Sequence, residues 1–586
     1  MAVTRRGWLA GAAAVAAAGG AEARIQPVVA REAAAPAAPP GPPPAPEFRV
    51  TAPGANQHDY TAALSALRAY AIDEVERLEL PGMTISVTDG EGFTALLPIG
   101  WADVERGVPL TSDRYFQIGS ISKSFIALTM LALSDQGRVD LSAPVASYLP
   151  DVPLPPEPVT ILQLLSHTGG LPDGAPFFPR TPDGRLWCGF PPGSSFSYSN
   201  TGFDLLGAVI ARLTGAPFER AVNSLVRQKL GLGGMTGVLA QATRPQFAVG
   251  YWPWDRTVAA TLPGGLLQPA TFDELAIPAG SIGATAEQMA AYMRGLMRFA
   301  RGQGAPVLAD ASARRFATPV IAAAEFGPGA SYALGVAVTP VDGSACLHHT
   351  GGMMAYASSF HADPAVGVAC FASVNAMLDD ELYRPRQVTR YAIQLLRAAR
   401  AGAPLPPPPD VMAPWRVKDP ASCSGAFVSP DGILTLAPED AGLTLTFKGR
   451  TARALQRGAD RLVTDHPELR AHGLDAVREG GSIVGWWWGE TLFARDPTRR
   501  ATEPPAALRA LAGVYVNRDP WVGRAVVLAR GETLVLEGAG PLVQHGGYWA
   551  RRADPGGVER FRFEAPMNGR TQRLNASGAD LERLTL

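Results

Sequence analysis

Lysine is scarce in this chain, and one of its few lysines stands three residues after a serine at the start of an apolar helical pattern. Of 52 basic residues only Lys123, Lys229, Lys418 and Lys448 are lysines. Ser120-Ile121-Ser122-Lys123 follows the strand-like "RYFQIG" and opens "SKSFIALTMLALSDQG". A helix starting at Ser120 sets Lys123 one turn on, beside the serine hydroxyl. Serine is a weak nucleophile until a base takes its proton. Lysine can be that base when burial lowers its pKa, whereas arginine stays protonated. The free N–H groups and positive dipole end of the same helix would suit a developing oxyanion. A Ser N-cap followed by a solvated lysine has the same spacing, so the S-x-x-K pattern does not decide by itself.

A second stretch, "SFSYSNTGFDLLGAVIARLTG", places Tyr198 and Asn200 two apart before an amphipathic helix. In extended backbone, residues i and i+2 project to the same side, so a phenol and an amide would converge on one cleft. A phenol near a lysinium can carry a proton. A core tyrosine and an Asn helix N-cap would show the same letters. "HTGG" occurs twice. The copy His167–Gly170 follows the helical "VTILQLLS", so its glycines read as a helix C-cap and the copy as structural. His349-Thr350-Gly351-Gly352 lies on a strand between strands, where small residues let a substrate backbone pair along the edge. This second copy is the site element.

Ser120-x-x-Lys123, Tyr198-Ser199-Asn200 and His349-Thr350-Gly351 together resemble, in order and spacing, the three motifs of the serine β-lactamase and penicillin-binding-protein superfamily. The Tyr-x-Asn form is similar to that of class C β-lactamases, DD-peptidases, family VIII carboxylesterases and D-aminopeptidases. "LLSHTGGLPDG", "PAGSIGATAEQMAAYM" and "YALGVAV" are family-like too, and the resemblance covers residues 50 to 400 or so. It implies that Ser120 is the acylated nucleophile, Lys123 its proton partner and Tyr198 the general base and acid. Asn200 would donate to the substrate amide, and His349, Thr350 and Gly351 would form the substrate-binding strand. The backbone N–H groups of Ser120 and Gly352 would make the oxyanion hole.

His349 departs from the lysine usual in the third motif, which is associated with a substrate carboxylate. A histidine near neutral pH is only partly charged, which argues against carboxylate recognition. A histidine there, with two β-units appended, resembles the D-stereospecific aminopeptidases. In those a loop of the terminal barrel reaches the active site, and the substrate offers a free α-amino group. The resemblance therefore implies an exported serine hydrolase acting through an acyl-enzyme on a small peptide, amide or ester. D-aminopeptidase activity comes first, a family VIII-like carboxylesterase next, and a class C-like β-lactamase or DD-carboxypeptidase third. The non-enzyme alternative is a catalytically silent cell-wall or ligand-binding protein, which would not need all of Ser120, Lys123, Tyr198 and Asn200.

These residues need a scaffold. Helical periodicity marks 59–78, 120–137, 200–214, 217–230, 285–299 and 386–400. Strand patterns mark a hairpin over 83–102 turning at Asp89-Gly90, then 331–340, 343–350, 356–362 and 366–374. Strands at both ends of a helical middle predict an α+β domain over 48–400, with an antiparallel sheet joining distant segments. A Pro-rich linker (401–412) follows, and then short alternating runs predict antiparallel barrel-like domains over 413–498 and 508–586. Ser424–Val428 corresponds to Ala512–Val516, and 442–449 to 532–539, a faint duplication that fits two small barrels or one larger one. Trp486-Trp487-Trp488 reads as packing on both faces of a strand rather than a sugar platform.

At 586 residues the chain is long enough for about three to four domains. A net charge of −1 leaves no basic stripe for nucleic acid or an acidic membrane surface. Cys188, Cys346, Cys370 and Cys423 show no CxxC spacing, and Cys346 and Cys370 fit buried neighbours in strands. The eight histidines show no ligand clustering, so no metal or other cofactor is expected. Residues 1–30 read as a twin-arginine signal peptide: Arg5-Arg6, a short Ala-rich run, then cleavage after Ala23 or Ala30. A periplasmic or secreted protein follows, without an integral membrane segment once the signal is removed. An Ala/Pro-rich linker spans 31–47, and a homodimer is compatible with the sequence.

Overall fold

Every residue of the strand Val368–Val374 is buried, because both of its faces are covered. Val368, Cys370, Ala372 and Val374 belong to one core, Ala369 and Phe371 to another. Period-2 alternation produces such two-sided burial when helices lie on both sides of a sheet. The computed structural model of the chain describes residues 45–52, 58–253, 267–377, 384–409, 416–440, 442–519, 522–554 and 556–584. The signal peptide and the linker up to residue 44 lie outside the described residues, as do 410–412 of the Pro-rich linker.

This strand belongs to a ten-stranded antiparallel sheet. Its main strands are β1 (Arg49–Ala52), β2 (Gly82–Asp89), β3 (Thr94–Asp103), β4 (Ile321–Ala322), β5 (Ser331–Tyr332), β6 (Ala337–Val341), β7 (Ser344–Met353), β8 (Tyr356–Asp363) and β9 (Val368–Val374). They lie in the order β1-β3-β2-β9-β8-β7-β6-β5-β4, so the early hairpin β2–β3 is completed by strands nearly 300 residues later. The helices that matter here are α1 (Thr61–Arg77), α2 (Ser122–Asp135), α3 (Ile161–Leu165), α4 (Asn200–Thr214), α5 (Ala286–Ala300) and α6 (Arg384–Ala401). One face of the sheet is covered by α1 and α6 through Leu67, Tyr70, Val75, Tyr391 and Leu395. The other meets α2, α4 and α5 through Phe125, Leu128, Phe203, Leu206 and Met293. Cys346 and Cys370 are both free and buried in the first of these cores, but β8 separates their strands.

The α+β expectation holds, with local corrections. The helix expected from Ser120 begins at Ser122, behind a 3₁₀ turn over Gly119–Ile121. The strand expected over 331–340 is broken into β5 and β6 by the Ala333–Gly335 turn, and the helix expected over 217–230 is a short α-turn, Phe218–Val222, followed by a π segment, Asn223–Arg227.

Beyond residue 416 the chain forms two closed antiparallel barrels of eight strands each, over Gly425–Ala494 and Gly513–Arg583. This decides between the two arrangements that the duplication left open. The repeat is visible in detail. The first strand of each barrel begins at a glycine, Gly425 or Gly513, against which the guanidinium of Arg495 or Arg583 lies too close for a Cβ. Each arginine also covers the ring two residues on, Arg495 over Phe427 (4.8 Å) and Arg583 over Tyr515 (5.2 Å). Trp486 is buried in the first barrel and Trp488 packs against that core, while Trp487 faces out beneath Arg530 of the second barrel at 5.6 Å. Asp475 joins the barrels by accepting from Arg461 (2.9 Å) and from Arg530 (2.8 Å). Among the described residues no helix is long and apolar enough to cross a membrane.

Candidate active site

Ser120 sits where the buried amino end of a helix meets the edge of a strand. Every residue of α2 from Ser122 to Leu133 is buried, so its amino end is held rigidly by packing on all sides. Pairing between β6 and β7 stops at His348, and beyond it the edge of β7 from His349 to Met353 faces the Gly119–Ile121 turn instead of a strand. The approach is backbone on backbone. A Cβ on Gly351 would lie 1.8 Å from the Ile118 carbonyl oxygen, and one on Gly119 would lie 2.7 Å from the Gly352 oxygen. Gly119 also has φ +55°, which glycine adopts without strain. The backbones of Ser120 and Gly352 are thereby brought side by side.

Lys123 is fully buried. Its Nζ donates to Ser120 Oγ (2.8 Å), Asn200 Oδ1 (2.6 Å) and the Ala279 carbonyl (2.9 Å). Three acceptors match the three hydrogens of an ammonium. A neutral amine can keep the two bonds to Asn200 and Ala279, and it then turns its lone pair on Ser120, the one partner with a proton to give. Burial lowers the lysine pKa from 10.5 to about 7, against the opposing pull of Asp173 and then Asp204. Nζ also lies over the Tyr198 ring, 4.8 Å from its centre.

The asparagine is oriented from two sides. Asp173 Oδ1 accepts from both the Asn200 backbone N–H and Nδ2 (2.9 Å each). Since a carboxylate only accepts, the amide must turn Nδ2 to Asp173, which leaves Oδ1 to accept from Lys123. Asn200 is not the N-cap of α4. Ser199 takes that place, its Oγ accepting from Gly202 N–H (3.0 Å), and this leaves Asn200 free to point at the lysine. Tyr198 and Asn200 thus converge on Lys123 as their spacing predicts.

His349 is buried beside them, with both ring nitrogens engaged: Nε2 with the Tyr332 hydroxyl (2.9 Å) and Nδ1 with the Thr350 carbonyl oxygen (2.5 Å). Burial lowers its pKa to about 3, and Lys123 adds to the effect. The ring is therefore neutral at physiological pH, rather than partly charged as an exposed histidine would be. Thr350 is half-buried, Gly351 buried and Gly352 exposed at the open edge.

The first "HTGG" copy has a larger part than a cap. The helix ends at Ser166 as C-cap, and the left-handed residue after it is His167 rather than a glycine. His167 has φ +56°, its N–H donates to the Leu164 carbonyl (3.3 Å), and the next N–H, of Thr168, donates to the Gln163 carbonyl (2.9 Å). This turn drives the imidazole inward, where it lies 4.3 Å from the Tyr198 ring centre and accepts the Ser199 N–H at Nδ1 (3.0 Å). Burial, then Lys123, holds its pKa well below the usual value. Sequence reasoning missed His167, Asp173, Asp204, Ala279 and Tyr332. Asp173 and Ala279 do fall inside the family-like phrases "LLSHTGGLPDG" and "PAGSIGATAEQMAAYM".

The second barrel reaches this wall. Glu559 Oε1 accepts the Asp173 N–H (2.8 Å), and the Val558 carbonyl accepts from the Trp187 indole (2.9 Å). Lys123, Asn200, Asp173 and Glu559 form one hydrogen-bonded chain from the buried amine to the terminal barrel. Among the described residues no three His, Cys, Asp or Glu side chains are grouped to hold a metal ion.

Comparison with known proteins adds to this geometry. The family model described as Beta-lactamase matches residues 67–393. A stretch of 184 residues is 35% identical to the esterase EstB of Burkholderia gladioli, covering 26% of this chain and 45% of that protein. Another alignment, of 211 residues, is 33% identical to the D-aminopeptidase of Gluconobacter oxydans (strain 621H), covering 32% of this chain and 37% of that one. The chain thus spans about half or less of the length of these relatives. The solved octameric penicillin-binding protein homologue from Pyrococcus abyssi shares the fold, with a TM-score of 0.54 at 21% identity over 74% of this chain and 98% of that chain.

Proposed function

The chain belongs to the Beta-lactamase family, and from that premise and the site geometry we propose that it is a serine hydrolase working through an acyl-enzyme. The observation that carries this is the coordination of Lys123, a desolvated amine held by two fixed acceptors with its third direction on Ser120 Oγ. Neutral Lys123 takes the Ser120 proton as Oγ bonds to the substrate carbonyl carbon. The carbonyl oxygen becomes an oxyanion held by the Ser120 and Gly352 N–H groups. Tyr198, beside Nζ, passes a proton to the leaving nitrogen or oxygen as that bond breaks. Water then attacks the ester by the reverse relay. The substrate lies along the open edge of β7 at Thr350 and Gly351, and Asn200 faces its amide.

Within this reaction we assign a D-aminopeptidase-type activity, on small amides or peptides with a free amino group. The neutral, internally bonded His349 offers no cation to a substrate carboxylate, which speaks against β-lactams and C-terminal D-residues. Similarity to a D-aminopeptidase and the two appended barrels support the same reading. Carboxylesterase activity is the second reading, favoured by the similarity to EstB. The catalytic domain is assigned to 48–400 and the barrel domains to 413–498 and 508–586.

A fluorescent fluorophosphonate that labels the wild type but not Ser120→Ala is the expected result. Labelling that persists in the variant sinks the acyl-enzyme. Turnover of D-alanine p-nitroanilide, p-nitrophenyl butyrate and nitrocefin then ranks the substrates, with the anilide expected first. Export through the twin-arginine route belongs to the proposal, supported by Arg5-Arg6 ahead of the Ala-rich run. Replacing both arginines with lysine is expected to keep the protein in the cytoplasmic fraction, and unchanged export would refute the route.

A further inference from the structure

Asp204 has no part in the mechanism above, yet it is tied to the base by a short covalent and hydrogen-bonded path. It lies one helical turn past Asn200 on α4, and its Oδ1 accepts the Ala279 N–H (3.1 Å). The carbonyl of that same Ala279 is one of the three acceptors of Lys123 Nζ (2.9 Å). Ala279 is thus gripped at its N–H by a carboxylate while its C=O grips the lysine. The chain around Ala279 can sit this close because of Gly207, one turn further along α4. A Cβ there would lie 2.0 Å from Cγ of Pro278, the residue before Ala279. The Pro278 ring therefore packs directly on the α4 backbone at Gly207, and that contact sets the reach from Asp204 to Ala279.

We propose that Asp204 is a positioning residue for the Lys123 base. It aims the Ala279 carbonyl at Nζ and, by its charge, adds to Asp173 in opposing the effect of burial on the pH at which Nζ can take the Ser120 proton. This rests on the acyl-enzyme reading and extends it to a residue outside the three motifs. The titratable groups facing Lys123 are Asp173 from the loop after α3, Asp204 from α4, and Tyr198, His167 and His349, and the Phe203 ring also lies beneath Nζ at 5.7 Å. The two histidines are neutral, so the carboxylates are the charges that act on the amine. Asp204 itself is desolvated, and its pKa is raised to about 7 by burial, with the Ala279 N–H and Lys123 opposing. Burial shifts both groups in opposite directions, the amine down and the carboxyl up, so the charge of each acts on the titration of the other.

Asp204→Asn separates the two roles, since the amide oxygen can still accept the Ala279 N–H while the charge is gone. The chain has four lysines, so a ¹³C-lysine-labelled full-length protein gives few signals, and Lys123 is identified by its loss in Lys123→Met. Removing a nearby negative charge favours the neutral amine, so in Asp204→Asn the Lys123 signal is expected to titrate about one pH unit lower. The acidic limb of the fluorophosphonate labelling rate should move the same way, and Asp204→Glu should restore it. A Lys123 titration unchanged in Asp204→Asn, or a limb that stays in place while the rate falls, overturns the proposal. Loss of Ser120-dependent labelling in the wild type would instead overturn the acyl-enzyme reading, so the two failures are distinct. The NMR titration needs no activity, and a thermal melt confirms that each variant is folded.

Discussion

Replacing Lys123 by methionine should raise the stability of the folded chain at neutral pH while abolishing acylation. The drop of its pKa from 10.5 to about 7 means that keeping this amine buried costs on the order of 4 kcal/mol at pH 7 relative to an unperturbed lysine. The folded pKa is the lower one, so the unfolded chain binds more protons between about 7 and 10.5, and stability rises with pH through that window. Methionine removes the penalty. It also leaves Ser120 Oγ, Asn200 Oδ1 and the Ala279 carbonyl without their donor, a loss of about 1 kcal/mol each. The balance favours Lys123→Met by about 1 kcal/mol at pH 7. At pH 10 about 1 kcal/mol of penalty remains, so the wild type should lead by about 2 kcal/mol. Calorimetric melts of both proteins at pH 7 and pH 10 read this directly, as a reversal in which melts higher. A gap that is the same at both pH values would show that Lys123 is not a desolvated base, and the proton-acceptor role would fall with it.

Gly351→Ala should lower the labelling rate by about 100-fold or more, because its Cβ meets the Ile118 carbonyl and must push β7 away from the Ser120 turn. Gly352→Ala, whose Cβ meets only the tip of the Met377 side chain at 3.0 Å, should lose far less, and equal losses would argue against the two-backbone oxyanion site. Asp173→Asn weakens the hold on the Asn200 amide and removes the largest charge favouring the protonated lysine. It should cost about 10-fold or more in labelling rate and shift the acidic limb to lower pH, as read in a pH–rate profile. Glu559 is raised in pKa chiefly by burial, so ionising it costs the folded chain stability at pH above the ordinary value of 4.5. Glu559→Gln keeps an acceptor for the Asp173 N–H and should melt higher than the wild type at pH 7. That advantage should fade as pH falls toward 4.5.

Much of this site is legible in the letters because the residues that exchange protons are restricted in type. A lysine in an arginine-rich chain, a tyrosine and an asparagine two apart, and a His-Thr-Gly run on a strand each have a local signature. Helix and strand periodicity placed Lys123, Asn200 and the His-Thr-Gly run on elements that exist, with a two-residue offset at the start of α2 and Tyr198 in the loop just before α4. Asp173, Asp204 and His167 have no such signature. An aspartate in a Gly-Pro loop, an aspartate on an amphipathic helix and a histidine before two glycines each have an ordinary local explanation. Their relation to Lys123 is made by tertiary contacts between chain segments that local periodicity does not link.

The sequence by itself determined the candidates for the chemistry: which side chains could act, in what order, and near which kinds of element. Tertiary structure alone decided the protonation behaviour of those groups. The pKa values of Lys123 and His349 are lowered because α2, α4 and β7 close over them and exclude water. Desolvation depends on everything packed around a group, and so it cannot be read from the few residues on either side of it.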